Sequence, residues 1–332
     1  MHIPDNYLSP TTCLVMGAAM VPVLAVASKK VKEELSQEKI PMLGISAAFS
    51  FIVMMFNIPL PGGTTGHAVG GTLLAVLMGP YAACISVTVA LLIQALLFGD
   101  GGILAFPANC FNMAFVMPFI GFFVYKFIKE KTGTEKGAII GIAIGSYVGI
   151  NFAALFAAIQ FGLQPLLFTN EAGLPLYCPY PLSVSIPAMM IPHLLVAGIV
   201  EAFFTVAVFT FIKRVSPGLI HEGEKKVKPV YALLAVLVCL SPLGILAAGT
   251  AWGEWGLEEI QDVISGGKAL GYIPEGMSTG FNFNAPLPDY AFNGLPDTAG
   301  YILSAAAGVA ILIILFKIIG SFIHDKAGGG IG

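Results

Sequence analysis

The sequence predicts an all-α polytopic membrane protein with about nine transmembrane helices, and three observations carry that reading. The 332 residues are 57% hydrophobic and only 11% charged, whereas soluble domains are about 45–50% apolar and about 25% charged. Mean hydropathy is +0.86. The apolar residues also gather in runs of about 20, the length a helix needs to cross a bilayer.

Those runs are 11–28, 40–60, 107–128, 137–162, 186–212, 230–250 and 299–320. A further run, 68–98, is too long for one span and is broken by Met78-Gly79-Pro80-Tyr81. Glycine and proline punctuate helices, so it reads as two short helices meeting at that turn. Cationic residues then set the orientation, because cytoplasmic loops carry the excess of lysine and arginine. Lys29, Lys30, Lys32 and Lys39 follow the first span, and Lys126, Lys129, Lys131 and Lys136 the fifth. Lys213, Arg214, Lys225, Lys226 and Lys228 follow the seventh. All three clusters share one side if 68–98 crosses twice. That side is the cytoplasm, which leaves the N-terminus, 61–67, 99–106, 163–185 and 251–298 outside.

The charged stretch 213–229 is the natural boundary. It divides a seven-span membrane core, 1–212, from a two-span region, 230–332, whose outer loop is 251–298. That loop contains Trp252-Gly253-Glu254-Trp255 and reads as an appendage or partner surface of a fused second subunit.

Several function classes drop out. A net charge of −3 is too small to imply a nucleic-acid partner. Cys13, Cys84, Cys110, Cys178 and Cys239 form no C-x-x-C pair and suggest neither a disulfide framework nor a thiolate metal site. No G-x-x-x-x-G-K-[ST] phosphate loop occurs. The N-terminus lacks the basic region and cleavage site of a signal peptide, so Met1 is expected to remain the first residue. In the sixth span Gly137, Gly141, Gly145, Gly149, Ala153 and Ala157 recur every four residues. Such a face lets another helix approach closely, either within the chain or from a partner subunit.

The chain opens MHIPDNYLSP, and the histidine at position two poses a chemical question. The α-amine of Met1 and the amide nitrogen of His2 can hold one metal ion in a five-membered chelate, and Nδ1 of His2 closes a six-membered ring on it. Three nitrogens then lie in a plane with the fourth corner empty. His67, in Pro61-Gly62-Gly63-Thr64-Thr65-Gly66-His67, lies on the same outer side and is the candidate for that corner. Four planar nitrogens suit Ni(II) or Cu(II), whereas Zn(II) prefers a tetrahedron and Mg(II) prefers oxygen. Binding is expected to weaken in acid, because amine, imidazole and amide all give up protons to the metal. Two plain readings compete. A second-position histidine also arises by chance, and His67 could open a helix capped by Thr64 or Thr65.

Other polar residues are weaker candidates. Asp5, Thr64, Thr65 and Asn109 could orient the ligands or serve as caps and turns. Gln94, Asn109 and Asn112 could tie helices together. His193 and Glu201 are intramembrane ionisable groups, functional suspects by default, and fit a structural hydrogen-bond network between spans. His221-Glu222 lacks the second histidine of a zinc-peptidase motif, because Lys225 stands there. His324 reads as a solvated tail residue.

The stretches MHIPDNYLSP, GGTTGHAVGGTLLAVLMGP and QALLFGDGG…NCFNMAF resemble the NikM/CbiM family. These are the membrane-embedded substrate-binding (S) components of energy-coupling factor transporters for nickel and cobalt. The resemblance covers about residues 1–212, and the remainder resembles the small NikN/CbiN partner, fused to the same chain. It implies a metal site on Met1, His2 and His67. It also implies partners: a transmembrane coupling protein and a cytoplasmic ATPase pair, in the inner membrane of a prokaryote. One feature departs from the family. The A-x-x-x-A pattern often seen in an early span is absent, since the first span pairs Ala18 with Pro22 and Ala19 with Val23. The expected function is capture of Ni(II) outside the cell, with no ATPase or other enzyme activity in the chain. Co(II) is the alternative cargo, and an integral-membrane metalloenzyme using Asp5 as base is the rival class.

Overall fold

The computed structural model describes residues 1–35, 40–219, 227–265 and 268–322. Lys39, His221, Glu222, Lys225, Lys226 and His324 therefore lie outside the described residues.

Nine apolar helical segments organise the described residues, as expected, but they are unequal. Seven are long and apolar enough to cross a membrane by themselves. They are α1 (Pro10–Glu34), α4 (Pro80–Phe98), α5 (Phe106–Thr132), α6 (Glu135–Leu167), α7 (Leu182–Val215), α8 (Lys228–Leu246) and α9 (Asp297–Phe322). The other two are α2 (Ile40–Met54) and α3 (Gly71–Met78). The run 68–98 does break at Gly79-Pro80: Gly79 has φ 91°, and Pro80 starts α4. Its halves differ, however. At about 1.5 Å per residue, the eight residues of α3 reach only part-way through a core of about 30 Å. The run opens in irregular backbone, and α3 begins only after Gly70, which has φ 74°.

Local chemistry explains the other boundaries. The Ser9 hydroxyl accepts the Thr12 amide at the start of α1, with Pro10 in the first turn. Gly133, at φ 60°, stops α5, and the Thr134 hydroxyl accepts the Gly137 amide to start α6. Three long helices contain a π-helical turn, over Gln94–Phe98, Cys110–Val116 and His193–Ala197. Such turns widen a helix locally and are frequent at functional sites. A short antiparallel hairpin, β1 (Ile58–Leu60) with β2 (Thr64–Gly66), links α2 to the His67 segment.

The glycine stripe of α6 is filled from within the chain. A Cβ at Gly149 would lie 2.6 Å from the Met117 carbonyl oxygen, and one at Gly141 would lie 2.9 Å from that of Tyr125. A Cβ at Gly145 would meet the Gly121 carbonyl oxygen. All three partners belong to α5, so close helix packing accounts for the repeat. Elsewhere α9 lies along α2, where a Cβ at Gly44 would be 2.9 Å from Phe316 Cβ. The chain between α8 and α9 folds back over the open end of the core. There Trp252 and Trp255 form an aromatic cluster with Tyr180, and Trp252 also meets Phe161.

Candidate metal centre

The first nine residues form no regular element, yet most are buried. Met1 is 6% exposed, His2 2% and Ile3 0%. Their backbone is satisfied by groups far along the chain. The Ile3 amide donates to Asn109 Oδ1 at 2.8 Å, and Asn109 Nδ2 donates back to the Ile3 carbonyl at 3.1 Å. The Gly102 amide donates to the same carbonyl at 2.9 Å. The Asp5 carboxylate accepts the amides of Ile103 and Leu104 at 3.0 and 2.7 Å. Gly101 is needed for this close approach: it has φ +84°, and a Cβ there would lie 3.2 Å from His2 Cδ2. The amino terminus is thereby threaded into a slot walled by the start of α5 and the preceding loop.

At the end of that slot the two histidines meet. His2 Nδ1 lies 3.1 Å from His67 Nε2, with ring centroids 4.9 Å apart. Two nitrogens in cis positions on a metal, with bonds of about 2.0 Å, stand about 2.8 Å apart, a spacing close to that of these ring atoms. The other nitrogen of His67, Nδ1, is 3.1 Å from the Ala68 carbonyl oxygen. As the donor in that bond it leaves the Nε2 lone pair facing His2. Burial pushes His2 down to about 3, with the positive Met1 amine as the second cause. His67 is held well below its ordinary range, first by burial, then by the amine and His2. Burial thus favours the neutral form of both imidazoles, the form a metal ligand needs.

Two carboxylates border the donors. Asp100 Oδ1 lies 3.2 Å from His2 Nδ1, and Glu254 Oε1 lies 3.2 Å from the Met1 amine. Burial raises both carboxyls above the usual range. Among the described residues, no three His, Cys, Asp or Glu side chains converge in a metal-holding group. A metal at the histidine pair would thus rely on the main-chain nitrogens of Met1 and His2.

The remaining candidates separate by role. Asn109 and Asp5 secure the N-terminal segment as described, and with both oxygens occupied Asp5 makes a poor base. Thr64 accepts the Trp252 amide at 2.7 Å, which joins the hairpin to the outer loop. Asn112 exchanges two hydrogen bonds with Gln160, at 2.8 and 3.0 Å, tying α5 to α6. His193 and Glu201 do not bond each other. His193 Nδ1 donates to the Met189 carbonyl at 2.7 Å within its own helix. Glu201 accepts the amides of Val69 and Gly70 at 2.8 and 3.1 Å, so it caps α3 just after His67. Asp100, Glu254 and Tyr290, whose hydroxyl donates to Asp100 Oδ2 at 2.6 Å, are not among the sequence candidates. The Gly-Asp-Gly turn was the one local signal for Asp100.

The described residues form a bundle of apolar, membrane-spanning helices that buries the amino terminus against a second histidine. Residues 2–219 match the family model CbiM, the cobalt uptake substrate-specific transmembrane region, and residues 227–325 match the PDGLE domain. The chain belongs to the CbiM family of multi-pass membrane proteins of metal uptake. It is 54% identical to the probable fused nickel transport protein LarMN of Lactiplantibacillus plantarum, over 96% of this chain and 97% of that protein. It is 46% identical to the fused nickel transport protein NikMN of Rhodobacter capsulatus, over 94% of this chain and 95% of that one. A crystal structure of a truncated transition metal transporter is also similar. It shows 58% identity and a TM-score of 0.61, over 64% of this chain and 99% of that one.

Proposed function

We propose that this chain is the substrate-binding component of an ATP-driven, energy-coupling factor Ni(II) importer, and that it captures the ion on the outer face. The observation that carries this reading is the 3.1 Å approach of His2 Nδ1 to His67 Nε2, at the end of a buried N-terminal slot. The ligands are the Met1 amine, the His2 amide and Nδ1, and His67 Nε2. The ionised amide offsets one of the ion's two charges, which eases its placement beside the bilayer. Helices α1, α5 and α7 begin near the site and end in their cationic clusters, which supports an outward-facing site under the positive-inside rule. Energy comes from a coupling protein and a cytoplasmic ATPase pair.

Two near-full-length relatives carry nickel in their names, and planar nitrogen ligation favours nickel over cobalt. Elemental analysis of the purified protein tests the reading. About one nickel per chain is expected, and none in His67→Ala. Cobalt in its place would reassign the cargo, and equal nickel in both proteins would dismiss the site.

We further propose that 1–212 is a self-contained binding core, that 213–229 is a charged cytoplasmic linker, and that 230–332 acts as a fused accessory. Residues 1–212 alone are expected to bind nickel, because every proposed donor lies within them. Affinity should be reduced without Glu254 and Tyr290, and uptake by cells should fall. A folded 1–212 chain that holds no nickel would refute the division.

A further inference from the structure

His67 is carried by four residues, 67–70, that belong to neither the hairpin nor α3. On one side the chain is fixed by the pairing of Gly66 with Ile58. On the other it is held by side chains from two other helices. Glu201 of α7 is fully buried and accepts the Val69 amide through Oε2 at 2.8 Å and the Gly70 amide through Oε1 at 3.1 Å. Ser50 of α2, also fully buried, donates its hydroxyl to the Val69 carbonyl oxygen at 2.8 Å. Both polar groups of the Val69 main chain are thus held, and only Ala68 separates them from His67. Two residues of chain span at most about 7 Å, so the His67 backbone has little room to shift.

A helix cap alone does not account for a carboxylate here. Helix N-termini are usually capped by a Ser, Thr, Asn or Asp at the capping position itself. That position in α3 is Gly70, which has no side chain, and the acceptor comes from α7 instead. The donors to Glu201 are the two amides and, at 3.4 Å, the Thr205 hydroxyl, none of them a cation. A carboxylate buried in a membrane bundle is costly, and such groups are functional suspects. In return, amide bonds to a charged acceptor are roughly twice as strong as neutral ones, and two oxygens on one plane fix direction as well as distance. Metal donors need that control, because a site tolerates only about 0.5 Å of drift. The surroundings of Glu201 agree. The π-helical turn His193–Ala197 ends one turn before it, and such turns are frequent at functional sites. Phe204 of α7 stacks on Phe49 of α2 at 5.7 Å, holding the two clamping helices together.

We infer that Glu201 and Ser50 are positioning residues: by clamping the main chain of Val69 and Gly70, they set where His67 Nε2 stands relative to His2. Neither touches the metal. The inference rests on the proposed site.

The test compares the full-length parent with Glu201→Gln and Ser50→Ala, using nickel alone as the probe. Glu201→Gln keeps the shape but turns one acceptor into an NH2 group facing a backbone N–H, which releases one amide. Ser50→Ala removes a single hydroxyl and serves if Glu201→Gln fails to fold. Nickel affinity, measured by competition with a chelator, should fall roughly 10- to 100-fold in Glu201→Gln, the range typical of outer-shell losses, and less in Ser50→Ala. At saturating nickel, the visible absorption of the bound ion should move to longer wavelength in both, because a displaced His67 makes a weaker fourth bond. A purely structural role would lower the folded fraction and leave the absorption of bound nickel in place. Unchanged absorption in a folded Glu201→Gln protein, or in Ser50→Ala where Glu201→Gln does not fold, would overturn the inference. His67→Ala separates the two levels. If it binds nickel with the affinity and absorption of the parent, the site itself is wrong. If it loses nickel while both clamp variants match the parent, only the clamp fails.

Discussion

One residue added ahead of Met1 abolishes productive nickel uptake. The proposed site depends on a covalent count: amine, amide and imidazole of a second-position histidine close two fused rings and leave one corner for His67. An added residue moves the histidine to position three. The terminal segment would then offer four nitrogens of its own and leave His67 no corner. The structure adds a steric reason. Met1 is 6% exposed, and the cavity beside it, bounded by Thr64, Thr65, His193 and Trp252, is only about 10 Å³. That is room for about one water, far less than an amino acid. The slot is also held in register by the Asn109 clasp on Ile3 and the Asp5 contacts with the loop. Acetylation of the amine should have the same effect by a different route, because it removes one donor and leaves the register intact. Both losses should exceed the roughly 10–100-fold of an outer-shell change. The measurement is nickel uptake by cells, with the extra residue confirmed by intact mass. Full uptake with the extension confirmed would show that the terminal amine is not a ligand.

The features read correctly from the sequence are those that composition and local signals dictate: the long apolar runs and the Gly79-Pro80 break. The unequal halves of 68–98 were not legible, because residues 68–70 are as apolar as the helix that follows. What distinguishes them is the amide bonding of Val69 and Gly70 to Glu201, more than a hundred residues away. Glu254, Asp100 and Tyr290 were missed for the same reason. Their roles exist only once the outer loop has folded back over the core, and nothing local to Trp252–Trp255 indicates that Glu254 meets the amino terminus. The neutrality of His2 likewise comes from burial, which no spacing reveals. The glycine repeat was visible, but its partner was not, and two readings stood open until α5 filled the groove.

That groove supports the other large prediction: Gly145→Leu prevents α5 and α6 from closing, and the protein is lost from the membrane or purifies in an unfolded form. A Cβ at Gly145 would press on the Gly121 carbonyl oxygen and lie 3.2 Å from the Tyr125 amide nitrogen. Both obstacles are backbone, which cannot rotate away as a side-chain tip can. The whole helix would have to move, and Gly141 and Gly149 hold the same interface one turn to either side, with the Tyr125 and Met117 carbonyls 2.9 and 2.6 Å from their Cβ positions. Overpacking an interior usually costs about 1–3 kcal/mol, and a leucine against backbone should reach the upper end or exceed it. The damage would travel to the site, because α5 carries Asn109, which clasps Ile3. Gly145→Ala should give a graded version, with lower thermal stability and weaker nickel binding in whatever protein remains folded. Phe152→Leu, on the same helix but 41% exposed, is the control and should change neither. Thermal unfolding in detergent, with and without nickel, reads all three variants. A Gly145→Leu protein that folds, melts and binds nickel like the parent would show that the close contact of α5 with α6 is not what the glycines provide.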